Sequence, residues 1–200
     1  QPGSPWTFLD SSFWLFLMGV LVVSGLFQHD RHRALRHGWL LLASLLFYWK
    51  TSGWFVMILL FSTMSDHLIG HRIAKTTGES SRNRWLALSI LLNLGLLFYF
   101  KYTYFLTDAW NGATGSQIIP RNWLAMGTNA ALGTSWSVDR ILLPVGISFY
   151  TFQTISYTVD IHRGRVKPLK RLSDFGFYVS FFPQLVAGPI VRAADFVPQI

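Results

Sequence analysis

Gln153 is the residue in this sequence whose chemistry conflicts most clearly with its surroundings. It lies in the block 142–159, whose apolar residues predict a membrane segment. A primary amide at membrane depth must find a hydrogen-bonding partner or face a water-filled cavity, because lipid tails offer neither donors nor acceptors. Gln153 is therefore a candidate for lining a polar, functional cavity.

Hydroxyl side chains follow one face of the same block. At spacings of three, three and four they recur as Ser148, Thr151, Thr154 and Thr158. Small hydroxyl residues let helices approach closely and hydrogen-bond across the contact, so this row favours helix packing. Asn93, inside the block 85–106, is expected to bond a neighbouring helix for the same reason.

The segment 172–190 contains a second chemical feature. From Leu172 to Pro183 a helix would reach only about 16 Å, half of a bilayer. The proline predicts a break near the midplane, with backbone groups that only protein or a water-filled cavity can satisfy. Broken helices often mark substrate sites in membrane proteins, and a proline kink used only for packing is the alternative.

The six histidines are candidate general bases, since imidazole titrates near neutral pH. His29, His32 and His37 fall in a basic segment and are expected to be solvated loop residues. His162 follows an apolar block and is expected at the interface. Since none lies deep in an apolar block, the sequence offers no obvious catalytic histidine.

His67 and His71 are candidate metal ligands, because they are four residues apart and Asp66 lies beside the first. This spacing places both rings on one helical face, but a metal needs further ligands. We therefore interpret the pair as a polar helix end at the membrane surface and predict no metal site. Nucleotide loops, Gly-x-Ser-x-Gly elbows and paired carboxylates are absent from the sequence.

Long apolar blocks must position these residues. The chain is 51% hydrophobic and 13% charged, too few charges to cover a soluble globule of 200 residues. The blocks have the length that about 30 Å of hydrocarbon requires of a helix. We predict an all-α, polytopic transmembrane protein with five to six membrane segments, the last broken or re-entrant. The blocks are 13–27, 39–49, 54–69, 85–106, 142–159 and 172–190.

The distribution of positive charge predicts the topology. The loops 28–38, 70–84 and 160–171 carry three, four and five Lys or Arg residues. The segments between them hold few, so the positive-inside rule places these three loops in the cytoplasm and the amino end outside. A turn is expected at 50–53, and the segment 107–140 is expected to lie on a surface or to be functional.

Composition also excludes several classes of function. The net charge of +8 could suggest nucleic-acid binding, but most of it sits in the short loops where membrane topology requires it. Cysteine is absent, which excludes disulfides and zinc–thiolate sites. We expect no nucleic-acid partner.

Two motifs carry a family resemblance. The sequences LPVGISFYTFQTISY at 143–157 and FFPQLVAGPI at 181–190, with a basic loop between them, resemble the membrane-bound O-acyltransferases. The resemblance is to the bacterial branch that contains alginate O-acetylases and teichoic acid D-alanyl transferases. It indicates that 1–200 is the amino-terminal part of one transmembrane acyltransferase domain, with motifs at 141–200 and the remainder downstream.

The resemblance implies an all-helical fold around a funnel. Gln153, Pro183, Gln184, Gly188 and Pro189 would line or shape the funnel wall. The family's catalytic histidine would lie downstream, so no catalytic residue is assigned within these 200 residues, which alone are expected to be inactive.

The implied activity moves an acetyl or similar short acyl group to hydroxyls of an exported cell-envelope polysaccharide. The donor would be a cytoplasmic thioester, acetyl-CoA or an acyl carrier, with no bound cofactor. The partners would be the bacterial inner membrane, donor, acceptor and accessory envelope acetylation proteins. A transporter or flippase, and a non-catalytic scaffold of the same fold, are the alternatives from other classes.

Overall fold

The computed structural model describes residues 11–27, 33–188 and 191–197. All regular structure in these ranges is helical. The helices are α1 Ser11–Leu26, α2 Arg33–Ser52, α3 Val56–Lys75, α4 Glu79–Leu97, α5 Thr103–Thr114, α6 Trp123–Leu132, α7 Ile147–His162, α8 Leu172–Ser180, α9 Phe182–Ala187 and α10 Ala193–Phe196.

Two continuous runs of helix are long and apolar enough to cross a membrane. Arg33–Lys75 joins α2 to α3 through a 3-10 turn at Gly53–Phe55, and Glu79–Thr114 joins α4 to α5 through a π-helical segment at Phe98–Tyr102. Ser11–Leu26 is a shorter apolar helix. The predicted all-helical fold is confirmed, and these helices suit a membrane protein.

Some helix ends differ from the predicted blocks. The loop predicted at 70–84 is mostly helical, because α3 continues to Lys75 and α4 begins at Glu79. Conversely, α7 begins only at Ile147 rather than near 142. Pro144 has no amide to donate, and Gly146 adopts the left-handed conformation at φ 72° as the residue before the helix.

Residues 94–144 form one of two compact units in the chain. Within this unit the Tyr99 hydroxyl donates to the Asn122 amide oxygen over 2.9 Å, and the Tyr104 hydroxyl accepts from the Ile141 amide over 2.8 Å. The predicted surface segment contains the end of α5 and all of α6. The apolar side chains that α6 exposes are Trp123, Leu124, Met126 and Leu132.

The other unit is built from the residues up to 93 and from 145 onward. Its helices approach closely where one of them carries glycine, as is common in membrane helix pairs. A Cβ at Gly70 of α3 would meet Tyr157 and Ile161 of α7 at 3.1 and 3.0 Å. One at Gly176 of α8 would meet Leu41 of α2 at 3.2 Å.

His37 corrects one expectation. It is only 4% exposed, its Nδ1 lies 3.1 Å from Asp174 Oδ1, and its ring stacks on Phe177. The prediction of a solvated loop residue is wrong because α2 already begins at Arg33 and carries the ring into contact with α8. His29 and His32 lie outside the described residues.

Three basic segments of the sequence meet at one end of this unit. The His71 ring donates to the Leu169 carbonyl over 3.1 Å, and the Arg82 guanidinium donates to the His162 carbonyl. The His37–Asp174 contact adds the start of α2 to the same end. The segments 33–38, 70–84 and 160–174 are thereby brought together.

Candidate functional site

The helix interruption predicted from Pro183 is present, two residues before the proline. α8 ends at Ser180, Phe181 adopts φ −52° and ψ 106°, and α9 begins at Phe182 with Pro183 in its first turn. Continuing α8 would set the proline ring against the Val179 carbonyl and remove the hydrogen bond that this carbonyl accepts. In the first turn of a new helix the missing proline amide costs nothing.

Gln153 of α7 satisfies one of the carbonyl groups that this interruption leaves. The Gln153 side chain is 3% exposed, and its Nε2 donates to the Tyr178 carbonyl over 2.7 Å. Tyr178 lies in the last turn of α8, where carbonyls lack partners within the helix. The amide therefore ties the first motif to the interrupted helix.

The Tyr178 side chain extends this connection. Its hydroxyl lies 3.2 Å from the Val191 carbonyl and 3.4 Å from the Gln153 carbonyl. Its ring packs against Phe196 of α10 with centroids 5.2 Å apart. Gln153, α8 and the chain after the second motif thus form one hydrogen-bonded arrangement.

The two motifs also touch at a glycine. A Cβ at Gly146 would lie 3.0 Å from Leu185 Cγ and 3.1 Å from the Leu185 carbonyl oxygen. The preceding residue, Val145, accepts a hydrogen bond of 2.9 Å from the Tyr48 hydroxyl of α2. The turn before α7 is thereby held between α2 and α9.

The remaining predicted site residues fall in or after α9. Gln184 is buried and Pro183 is exposed. The Gly188 amide donates to the Gln184 carbonyl over 2.9 Å, and a Cβ at Gly188 would lie 2.6 Å from Gln184 Cα. A side chain at position 188 would force this turn to move. Pro189 lies outside the described residues.

Asp66, which the sequence presents as a neighbour of His67, is a buried carboxyl group in the structure. Its Oδ1 lies within hydrogen-bonding distance of Ser89 Oγ, at 2.6 Å, and its Oδ2 accepts from Asn93 Nδ2 over 2.7 Å. Thr154 Oγ1 donates to Asn93 Oδ1 over 3.0 Å, and Thr158 Oγ1 lies 3.0 Å from Ser89 Oγ, so the predicted helix-packing role is confirmed for Thr154, Thr158 and Asn93. Thr151 Oγ1 is buried without a hydrogen-bond partner among the described residues. The available signal was an ionisable residue inside the apolar block 54–69.

His67 and His71 lie close together, with ring centroids 4.6 Å apart. Over the described ranges, no group of three or more histidine or carboxylate side chains is arranged to hold a metal ion. The His71 ring is engaged with the Leu169 carbonyl. His67 is buried within α3, and its ring lies 5.8 Å from that of Phe175 in α8, so the expectation of a polar helix end at the membrane surface is wrong for His67.

Comparison with known proteins shows several related sequences. The chain is 36% identical over 198 residues to a probable alginate O-acetylase, AlgI, of Pseudomonas aeruginosa, covering 95% of this chain and 34% of that protein. The corresponding protein of Azotobacter vinelandii is also 36% identical, with 95% and 35% covered. A peptidoglycan O-acetyltransferase of Helicobacter pylori is 30% identical over 186 residues, with 80% and 32% covered.

The chain thus spans about a third of the length of these relatives. No family model and no solved structure matches it. Homologues at 30–36% identity over most of the chain are O-acetyltransferases by name, which confirms the resemblance drawn from the two motifs and fits the membrane-bound O-acyltransferase family.

Proposed function

We propose that the chain is part of a membrane-bound enzyme that transfers an acetyl or similar short acyl group from a thioester donor to hydroxyls of an exported cell-envelope polysaccharide. The observation that carries the proposal is the likeness over 95% of the chain to proteins named alginate O-acetylase. The likeness to a peptidoglycan O-acetyltransferase supports a glycan acceptor. The donor would be acetyl-CoA or an acyl carrier.

The proposed reaction needs a general base and a polarised carbonyl. The base removes the proton of the acceptor hydroxyl, whose oxygen attacks the thioester carbonyl; the C–S bond then breaks and the thiolate leaves, to be protonated. We propose that the base is a histidine outside these 200 residues. Four residues of this chain would shape the passage in which donor and acceptor meet: Gln153, Gln184, Gly188 and Pro189.

For the membrane arrangement we propose five to six crossings of the bacterial inner membrane, with the amino end outside. The gathering of three basic segments at one end supports a common cytoplasmic side, where a thioester donor would be available. Accessory envelope acetylation proteins would complete the system on the other side.

Complementation in a strain lacking its envelope O-acetyltransferase tests the proposal. The full-length protein should restore ester-linked acetate, released by mild base from exported polysaccharide. Gln184→Leu should reduce that acetate at equal membrane abundance, and Phe152→Leu, at an exposed position of α7, should not. Wild-type protein that restores export of the polysaccharide without acetate would favour a transporter instead.

A further inference from the structure

The Asp66 carboxyl lies fully inside the packing of α3, α4 and α7. Asp66 as a whole is 0% exposed to solvent. The two ion pairs found over the described ranges join His37 to Asp174 and Arg165 to Asp160, so neither supplies a cation to Asp66. Burying a carboxylate without a cation is strongly unfavourable, whereas a neutral carboxylic acid needs only hydrogen-bonding partners.

Hydrogen-bonding partners are provided on both oxygens. We call the six side chains involved the Asp66 cluster: Ser62, Asp66, Ser89, Asn93, Thr154 and Thr158. The hydrogen bonds of Asn93 have a fixed direction. Its Nδ2 donates to Asp66 over 2.7 Å, and its Oδ1 accepts from Ser62 and from Thr154 over 3.0 Å in each case. These bonds are the same whether Asp66 is charged or neutral.

The other oxygen of Asp66 starts a chain of hydroxyls whose direction can reverse. Ser89 Oγ lies 2.6 Å from Asp66 Oδ1 and 3.0 Å from Thr158 Oγ1, where either hydroxyl can donate. Thr158 Oγ1 also lies 3.1 Å from the Ile155 carbonyl. With a neutral Asp66, the acid donates to Ser89, Ser89 to Thr158, and Thr158 to the carbonyl, so every proton has an acceptor.

The other titratable groups nearby, Tyr157, His67 and Asp160, form no hydrogen bond or ion pair with Asp66 within the described residues. The Tyr157 hydroxyl of α7 accepts from the Leu169 amide over 2.9 Å. His67, next to Asp66 on α3, has a buried Nδ1 without a hydrogen-bond partner among the described residues. Asp160 lies 3.8 Å from Arg165.

We propose that Asp66 is a positioning residue that works as a neutral acid. By donating to Ser89 while it accepts from Asn93, it fixes Thr154 and Thr158 of α7. Gln153, adjacent to Thr154, is thereby held at the Tyr178 carbonyl. The catalytic part of this inference rests on the proposed acyltransferase function.

Asp66→Asn and Asp66→Leu in the full-length protein separate a neutral from a charged role. The asparagine amide can donate to Ser89 and its oxygen can accept from Asn93, so it reproduces the neutral pattern; the leucine can do neither. Acyl transfer by Asp66→Asn should keep the wild-type rate and pH profile, while Asp66→Leu should lose about 10- to 100-fold through misplacement of α7. Equal losses in both variants would overturn the proposal.

Infrared difference spectroscopy gives a second measurement that does not depend on activity. The full-length protein in lipid, compared with Asp66→Asn, should show the C=O stretch of a protonated carboxylic acid. A carboxylate band in its place would refute the neutral acid, whether or not the acyl transfer is detected. If the wild type shows the acid band but no acyl transfer, the proposed function fails and the neutral state of Asp66 stands.

Discussion

Gln153 Nε2 donates a hydrogen bond of 2.7 Å to the carbonyl oxygen of Tyr178. This single contact joins the first motif to a helix that stops in the middle of the last apolar block. Without it, a carbonyl at the end of α8 would be buried and unsatisfied, because neither lipid nor the following turn supplies a donor. The two motifs are therefore one structural feature, an interrupted helix and the amide that completes it.

Gln153→Leu should weaken this junction. Removing the donor leaves the buried Tyr178 carbonyl without its partner, at a cost of about 1–3 kcal/mol. We expect a lower thermal unfolding midpoint in detergent and less polysaccharide acetate from cells expressing the variant. Gln153→Glu is an informative companion, since a neutral glutamic acid can still donate to the carbonyl. An unchanged midpoint for Gln153→Leu would mean that the bond contributes nothing.

Gly188→Ala should disrupt the turn after α9. The added Cβ would lie 2.6 Å from Gln184 Cα, a separation that the backbone must relieve by moving. We expect reduced acyl transfer with the protein still in the membrane. Gly95→Ala is the matched control, because its Cβ meets nothing within 4 Å and alanine favours a helix by up to about 1 kcal/mol. Equal activity of both variants would contradict the steric argument.

Gly146→Ala should destabilise the protein in two ways, through a strained backbone conformation and through a steric contact. Gly133→Ala, which has only the strained conformation, separates the two effects. Gly146 has φ 72° and its Cβ would press on Leu185, whereas Gly133 has φ 65° and open space around it. Gly133→Ala should cost only the left-handed conformation, about 1–2 kcal/mol. Gly146→Ala should cost more, seen as a lower unfolding midpoint. If the two unfolding midpoints fall equally, the contact between the added Cβ and Leu185 does not destabilise the protein.

Single-cysteine labelling of the full-length protein tests the proposed topology directly. These 200 residues contain no cysteine, and any cysteine elsewhere in the protein is replaced first. Ala34→Cys and Val166→Cys should resist an impermeant thiol reagent in intact cells and react after lysis. Gln117→Cys, on the opposite side in the proposed arrangement, should react in both. Labelling of position 166 in intact cells would reverse the assignment of the basic segments to the cytoplasm.

The sequence by itself determined the helical class, the apolar character and the interrupted last segment. These follow from local properties: the length of apolar blocks, the missing amide of Pro183 and the hydroxyl spacing along α7. Gln153 was singled out in the same way, because an amide inside apolar sequence is conspicuous. Gln184 was named only through the family resemblance.

Tertiary structure alone decided the partners of these residues. No local pattern places the Gln153 amide against Tyr178, 25 positions later, or brings His37 to Asp174 across 137 positions. The Asp66 cluster depends on three helices meeting, and its members are separated by long stretches of chain. Helix packing determines such pairs, because a polar group can be buried without a large free-energy cost only where a neighbouring helix provides its hydrogen-bonding partner.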